Sequence, residues 1–310
     1  MRTLANAASF VLALSVALAA QAPSRLADAK REGTLTLYTS LAPTESTPLA
    51  AAFEKKYGVK VQLWRGLSEE VVQRTITEAR GRRYAVDVIE TNGPEMEMIG
   101  RERLLASAWS PDRLNLFVVG YNTAKVKRAE IPATYEGFAD PKWKGRIALE
   151  ATDSEWMATL IKTTPGGKGM DLMRRLAALQ PSLRKGHVLL ASLVAAGDVP
   201  VGLAMYNSNI ETLKRKGAPI DYVPVQPVVA RPQGVGIAKN APHPNAAQLF
   251  SEYVMSPEGQ KLFESMGRVP ASPGVNSALN NFPFVLIDPV TVLDESAKWE
   301  KVWTELFVRR

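Results

Sequence analysis

Residues 198–263 read DVPVGLAMYNSNIETLKRKGAPIDYVPVQPVVARPQGVGIAKNAPHPNAAQLFSEYVMSPEGQKLF, and this stretch decides the fold class. Two short apolar runs of strand type, residues 199–205 and 235–238, are each followed by a segment with helical spacing of its apolar residues, 210–216 and 245–255. Strands that alternate with helices form α/β sheets. The stretch therefore predicts an α/β fold.

Polar residues gather where the first of these runs ends. The run stops at the four residues YNSN, 206–209, and a turn-forming RPQG segment, 231–234, precedes the second run. Open α/β sheets bind their ligands outside the carboxyl ends of the strands. The sequence therefore predicts that residues 206–209 face a ligand.

The rest of the chain repeats the alternation and predicts two lobes. Strand-like runs begin at Thr34, Val59 and Ala85, and a helical segment follows each of them, as in a mainly parallel sheet. The chain is then expected to enter a second lobe near Gly120 and to return near residues 231–234. Two connectors between two lobes form a hinge that closes around a ligand.

This order divides the chain into a signal peptide, two lobes and a tail. Each lobe is expected to be a mainly parallel sheet flanked by helices, and the tail is expected to pack on the lobes as a helical segment. The boundaries are 1–22 for the signal peptide, 23–119 with 234–275 for lobe one, 120–233 for lobe two and 276–310 for the tail.

The first residues have the pattern of an export signal. Arg2 precedes an uncharged stretch, residues 4–22, that is rich in Ala, Leu and Val and ends in small residues. An N-terminal membrane anchor is the alternative, but the apolar core at residues 10–20 is short for a span. The chain has no Cys, which excludes a lipoprotein anchor, disulfides and thiolate chemistry. We therefore expect a periplasmic protein.

Composition limits the function classes. The formal net charge of +7 favours either an anionic ligand or a diffuse basic surface. Nucleic acid is excluded as a partner, because the charges are interspersed, no recognition motif is present and export is predicted. The chain has no G-x-S-x-G elbow, and PGGKG at residues 165–169 lacks the full phosphate-loop pattern. We predict neither catalytic residues nor a cofactor.

Several motifs, in order along the chain, carry a resemblance to a known family. They are LTLYTS (35–40), YGVKVQLWRG (57–66), YAVDVIETNG (84–93), VVGYNT (118–123), TYEGFADPKWKGRIALEATDSEWMATLIK (134–162), AAGDVPVGLAMYNSN (195–209) and the segment from GVGIAKN to SPGV (234–275). The chain resembles bacterial extracellular solute-binding proteins of ABC importers, in the branch that contains the ferric-iron binders. The resemblance implies a two-lobed type II periplasmic binding protein fold. It also implies a monomer that captures a small solute or ion between the lobes and delivers it to permease subunits.

The candidate ligand-binding residues stand at predicted strand ends or at positions where the family contacts its ligand. They are Ser40, Thr44, Glu45, Arg65, Asn92, Gly93, Asp153, Trp156, Tyr206, Asn207 and Arg231. Asp153 has an alternative role in helix capping, because residues 152–155 have capping-box spacing. Trp156 is alternatively a core residue. Arg65 and Arg231 either pair with an anionic group of the ligand or are solvated surface arginines.

The resemblance also locates the family's ferric-iron ligands. The His position falls near Ala42, the Glu position near Asn92, and the tyrosine pair near Asn207 and Ser208, beside Tyr206. Amide and hydroxyl groups supply less charge than ferric iron requires, so no metal site is predicted.

The sequence leaves alternatives open for the identity of the ligand and for the role of the protein. Ferric iron is an alternative cargo, and a ligand sensor that docks a membrane receptor is an alternative role. Organic anions, polyamines and phosphonates are also open as ligands. A different cation site would use Glu45, Glu90, Asp153 and Tyr206.

Overall fold

A computed structural model describes residues 25–272, 275 and 277–309. The predicted signal peptide, residues 1–22, lies outside the described residues. Within them, no helix combines the length and the apolar composition that crossing a membrane requires.

The chain divides into two compact units. The first contains the described residues up to Thr91 together with Met98–Ser110 and Gly234–Gly259. The second contains Asn92–Glu97, Pro111–Gln233 and the described residues from Gln260 onward. The sequence predicted two lobes that close on a ligand. Their boundaries stay a prediction.

The strands of the described residues are mostly short and buried. They are β1 (Thr34–Thr39), β2 (Lys60–Arg65), β3 (Val88–Asn92), β4 (Ser110–Asn122), β5 (Ile147–Glu150), β6 (Ser182–Arg184), β7 (Val201–Tyr206), β8 (Ile220–Val223), β9 (Val228–Ile237), β10 (Val269–Pro270) and β11 (Phe284–Leu286).

Helices separate most of these strands along the chain, which confirms the α/β prediction. They are α1 (25–32), α2 (Pro43–Tyr57), α3 (Ser68–Arg80), α4 (Gly93–Arg101), α5 (Ser154–Thr163), α6 (Gly169–Ala178), α7 (His187–Ala196), α8 (Asn207–Arg215), α9 (Pro244–Met255), α10 (Pro257–Ser265) and α11 (Pro289–Trp303).

The first unit is built on a parallel sheet with β1 at its centre. β1 pairs in parallel with β2 on one side and with β3 on the other. Leu35 and Leu37 of β1 are fully buried. On the helical layer, the ring of Phe53 in α2 meets the ring of Phe250 in α9 edge-on, with centroids 5.0 Å apart. Burial of these apolar residues is what holds the unit together.

The second unit has a mixed sheet in the order β4-β7-β5-β6. β5 is parallel to both β6 and β7, whereas β4 runs antiparallel to β7. Every residue of β5 and β7 is buried. Since parallel strands end at the same edge of a sheet, this arrangement brings the segments after β5, β6 and β7 together.

The C-terminal segment packs within the second unit. The indole N–H of Trp303 in α11 donates to the carbonyl of Ala151 over 2.8 Å, and Lys162 of α5 pairs with Glu295 of α11 at 2.6 Å. Trp299, Trp303 and Phe307 belong to the main hydrophobic core of this unit. The tail, residues 276–310, was expected to be a helical segment, and α11 lies within it. This helix begins at Pro289.

The structure corrects one prediction about the backbone. Residues 231–234 are part of β9 and not a turn. A Cβ at Gly234 would lie 2.2 Å from Cε3 of Trp109, so this glycine provides room for an aromatic ring beside an extended backbone. Composition had suggested a turn because the Pro and Gly of RPQG are common in turns.

Candidate ligand-binding site

Side chains from the ends of β5 and β7 and from the start of α7 meet at one edge of the second unit. Asp153 lies just after β5, His187 is the first residue of α7, and Tyr206 is the last residue of β7. Oδ1 of Asp153 and Nε2 of His187 are 3.2 Å apart. The imidazole of His187 stacks on the ring of Tyr206 with centroids 3.6 Å apart and an interplanar angle of 20°.

Arg231 of β9 joins this group through two contacts. Its Nε lies 2.9 Å from Oε1 of Glu155 in α5, and its NH1 donates to the Tyr206 hydroxyl over 3.0 Å. Burial raises the pKa of Tyr206, although the positive charge of Arg231 opposes the rise. The phenol is therefore protonated at neutral pH. Its oxygen accepts the Arg231 hydrogen bond, and its proton can be donated elsewhere.

Glu150 holds the turn after β5 in place. Its Oε2 accepts hydrogen bonds from the backbone N–H of Thr152 at 2.5 Å and from the Thr152 hydroxyl at 2.6 Å. Its Oε1 accepts from the backbone N–H of Gly186 at 2.8 Å. Glu150 thus ties the start of α5 to the start of α7, the two helix ends that carry Asp153 and His187.

These contacts correct the expected capping box at residues 152–155. Asp153 occupies the N-cap position of α5 but makes no side-chain capping bond, and the Thr152 hydroxyl bonds to Glu150 instead. The spacing of Thr152 and Glu155 fits a capping box. The Thr152 hydroxyl instead donates to the carboxylate of Glu150, a charged and therefore stronger acceptor two residues earlier in the chain.

We refer to Glu150, Asp153, Glu155, His187, Tyr206 and Arg231 as the polar cluster. Its carboxylates are buried: Glu150 and Asp153 are 3% exposed and Glu155 is 9% exposed. Burial raises the pKa of Asp153, with His187 opposing the rise. Burial also raises the pKa of Glu155, to about 7, with Arg231 opposing the rise. A low-dielectric site thus contains three carboxyl groups and the guanidinium of Arg231.

Two buried polar atoms of the cluster have neither a hydrogen-bond partner nor an ion-pair partner in the protein. They are Oδ2 of Asp153 and Nδ1 of His187. A buried polar atom without a partner costs free energy of about 1–3 kcal/mol, unless a ligand or water satisfies it. These two atoms are the strongest indication that the cluster contacts something beyond the chain itself.

The cluster also contains a set of potential metal ligands. Glu150, Asp153 and His187 each offer one ligand atom, and these atoms lie within 4.8 Å of one another. Carboxylate and imidazole groups together suit zinc and other borderline transition metals.

Two further candidates from the sequence lie in the interior of the second unit. Trp156 is fully buried and packs edge-on against Tyr135, with ring centroids 5.6 Å apart. Asn207 is the first residue of α8 and is fully buried.

Asn92 is the last residue of β3, and Gly93 is the first residue of α4. Oδ1 of Asn92 accepts a hydrogen bond from the side-chain amide of Gln233 over 2.6 Å. A Cβ at Gly93 would lie 3.0 Å from Cγ of Pro289 and 3.1 Å from the carbonyl oxygen of Pro232. Gly93 therefore permits a close approach of neighbouring segments.

The remaining candidates lie at the carboxyl end of β1 and β2 in the first unit. Oγ of Ser40 accepts a hydrogen bond from the Thr91 hydroxyl at 3.0 Å. Glu45 accepts a bond from the backbone N–H of Ala42 at 3.2 Å, and Nε of Arg65 donates to the Leu41 carbonyl at 3.4 Å. Thr44 is exposed in the first turn of α2.

Sequence reasoning missed Glu150 and His187. Neither residue is among the candidates that the sequence singled out. Their positions could have indicated both residues. Glu150 is the last residue of β5 and His187 follows the end of β6, and these two strands are parallel neighbours in the sheet. β6 has only three residues, which is too short for apolar alternation to reveal it.

Comparisons with known proteins agree on one family. The model of the family described as bacterial extracellular solute-binding protein matches residues 35–269. The chain is 26% identical over 305 residues to iron uptake protein A2 of Synechocystis sp., which covers 85% of this chain and 84% of that protein.

Solved structures show the same fold. Iron-bound HitA from Pseudomonas aeruginosa superposes with a TM-score of 0.73 at 23% identity, covering 87% of this chain and 99% of HitA. The periplasmic binding protein AfuA from Actinobacillus pleuropneumoniae, with exogenous fructose-6-phosphate bound, also has a TM-score of 0.73, at 21% identity, and the match covers 90% of this chain and 99% of AfuA.

Proposed function

This chain belongs to the bacterial extracellular solute-binding protein family, and we propose that its second unit contacts the solute through the polar cluster. Proteins of this kind bind a solute outside the cytoplasmic membrane and deliver it to an ABC importer. We further propose that the chain is exported to the periplasm by a signal peptide that is then cleaved. There it acts as a monomer without catalytic activity and docks on permease subunits.

One observation carries the assignment of the cluster. Oδ2 of Asp153 is a buried carboxylate oxygen without a partner in the protein, on a side chain that is 3% exposed. A carboxylate oxygen accepts hydrogen bonds or binds cations and cannot donate. A solute that satisfies the ionised form therefore brings a positive charge or a hydrogen-bond donor.

The charge balance of the cluster supports a cationic solute. Glu150, Asp153 and Glu155 belong to the same cluster as Arg231, whose guanidinium already contacts Glu155 and Tyr206. An anionic group placed here would meet several carboxylates at short range in a low-dielectric site. The net charge of +7 is spread over the whole chain, and salt in the solvent screens charges at its surface. The buried carboxyl groups, in contrast, act directly on the bound group.

The relatives named above have cargo of both charges, iron and fructose-6-phosphate. Of these two kinds, the polar cluster favours a cation.

The test begins with native mass spectrometry of the protein as purified, followed by a thermal-shift screen. The screen pairs cations (spermidine and divalent metals) with anions (citrate, a sugar phosphate and a phosphonate). We expect a cation to raise the Tm of the wild-type protein and to lose this effect in Asp153→Asn. Glu136→Gln is the matched control, because Glu136 is an exposed acidic residue of the same unit.

Two outcomes would contradict the proposal. One is an anion that stabilises the wild-type protein while no cation does. The other is a cation whose effect is the same in Asp153→Asn as in the wild-type protein. Delivery is tested separately, by measuring solute uptake into vesicles that contain the reconstituted permease of the ABC importer.

A further inference from the structure

We propose that Glu150, Asp153 and His187 form a binding site for one divalent transition-metal ion in the second unit. The inference rests on the proposed function and deepens it, because it names the chemical class of the cation. None of the three residues is among Ala42, Asn92, Asn207 and Ser208, the positions at which the sequence resemblance locates ferric-iron ligands.

The distances within the set fit a small ion. Nε2 of His187 and Oδ1 of Asp153 are 3.2 Å apart, and one ligand atom of each of the three residues lies within 4.8 Å of the others. Ligand atoms at about 2.0–2.1 Å from a tetrahedral zinc ion are separated by roughly 3.3–3.4 Å. An ion could therefore enter between His187 and Asp153 with only small side-chain movements.

The ligand types select the class of metal. One imidazole and two carboxylates suit zinc, cobalt, nickel and ferrous iron, whereas magnesium and calcium prefer oxygen ligands alone. Two carboxylates and a neutral imidazole would also balance the charge of a divalent ion. The ion would replace the unfavourable proximity of two buried carboxylates with attraction to a shared cation.

The surroundings hold these ligands in position. Glu150 is fixed by hydrogen bonds from Thr152 and Gly186, and the His187 ring is held flat against Tyr206 at 3.6 Å. Such outer contacts orient metal ligands and reduce the entropy lost on binding. Three protein ligands leave a coordination position for water or for a ligand carried by the metal.

An independent observation points to a ligand at the same place. Oδ2 of Asp153, on a side chain that is more than nine-tenths buried, lacks a partner in the protein. An ion that enters between Nε2 of His187 and Oδ1 of Asp153 would replace their direct contact, and the Asp153 carboxylate would then bind the metal.

The composition of the chain makes the test sharp. The protein has two His residues and no Cys, so imidazole-dependent binding has to involve either His187 or His243. His243 lies in the first unit, where its Nδ1 is 2.9 Å from Oδ2 of the buried Asp87. His243→Gln is thus a matched control for His187→Gln.

The experiment uses the full mature protein without a histidine tag, stripped of metal with a chelator. Isothermal titration with Zn²⁺ and Co²⁺ measures affinity and stoichiometry, and the visible spectrum of the Co²⁺ form reports coordination. We expect one ion per chain, a loss of affinity of about tenfold or more in His187→Gln and Asp153→Asn, and no change in His243→Gln. Far-UV circular dichroism and a thermal melt confirm that each variant is folded.

The proposal is overturned if neither ion binds at one per chain, or if His187→Gln binds as tightly as the wild-type protein. The outcome also separates the two proposals. If spermidine or another organic cation stabilises the protein through Asp153 while Zn²⁺ and Co²⁺ do not bind, the metal site is wrong and the proposed function stands. If no cation depends on Asp153, both are wrong.

Discussion

At the scale of single residues, Tyr206 links the two halves of the polar cluster. Its hydroxyl accepts a hydrogen bond from Arg231 at 3.0 Å, and its ring supports His187 at 3.6 Å. The sequence singled out Tyr206 because it ends an apolar strand. Its partners could not be read from the sequence, since they come from β9 and α7, which are distant in the chain.

We predict that Tyr206→Phe lowers the free energy of unfolding by about 1–3 kcal/mol. The substitution keeps the ring that stacks on His187 and packs against Phe117, and it removes an acceptor from the buried guanidinium of Arg231. Urea unfolding followed by circular dichroism measures the change. Tyr84→Phe, at a side chain that is 46% exposed, is the control. Equal stability of wild-type and Tyr206→Phe proteins would show that the Arg231 bond contributes nothing.

At the scale of elements, the order of strands and helices followed from the sequence, whereas several boundaries and the site did not. Apolar runs of strand length identify β1, β3 and β7 because these strands are buried over most of their residues. Residues 231–234 of β9 were predicted to form a turn because Pro232 and Gly234 are typical of turns. Only the neighbouring Trp109 ring explains why a glycine is needed inside this strand.

The candidate site shows the same limit. Asp153, Tyr206 and Arg231 were identified from strand ends and from the family resemblance, and the structure brings them together. Glu150 and His187 join them through the pairing of β5 with β6, a contact between residues that are more than thirty positions apart. Local patterns carry no information on such a pairing. The role of these residues in ligand binding stays a prediction.

The start of α11 offers a prediction about pH. Asp288 is the N-cap of this helix and accepts a bond from the backbone N–H of Val290 at 3.2 Å and from the Thr291 hydroxyl at 2.6 Å. The Thr291 bond is the main cause that holds the pKa of Asp288 below its usual value. We expect Asp288→Ala to destabilise the protein by about 1 kcal/mol at neutral pH.

The sign of the pH dependence follows from this lowered pKa. The folded state favours the ionised carboxylate, so the contribution of Asp288 is present at neutral pH and is lost as the pH falls through the folded-state pKa. Thermal melts of wild-type and Asp288→Ala proteins should therefore converge in acid. Asp288→Asn, which keeps a capping oxygen, should lie between them at neutral pH. A difference that is constant from neutral to acidic pH would contradict the ionised cap.

At the scale of the whole molecule, the question is which parts of the chain respond to the solute. The sequence placed candidate contacts in both units: Ser40, Thr44, Glu45 and Arg65 in the first, and Asp153 and Tyr206 in the second. A solute that binds the folded state stabilises it by mass action, by about 2.7 kcal/mol at a concentration 100 times Kd. The segments that it contacts should also open less often.

Hydrogen exchange with mass spectrometry can show which of the candidate residues a ligand contacts. A metal ion bound to Glu150, Asp153 and His187 should slow exchange in peptides that cover residues 147–157, 183–193 and 201–210, because β5, β6 and β7 carry or position its ligands. A larger solute that also contacts Ser40, Thr44 or Arg65 should slow exchange in residues 38–46 and 63–68 as well. Residues 128–144, which contribute no predicted ligand, report the background. Protection of residues 38–46 without protection of residues 147–157 would mean that the ligand does not contact the carboxylates of the second unit. That result would contradict the proposal that the polar cluster binds the solute.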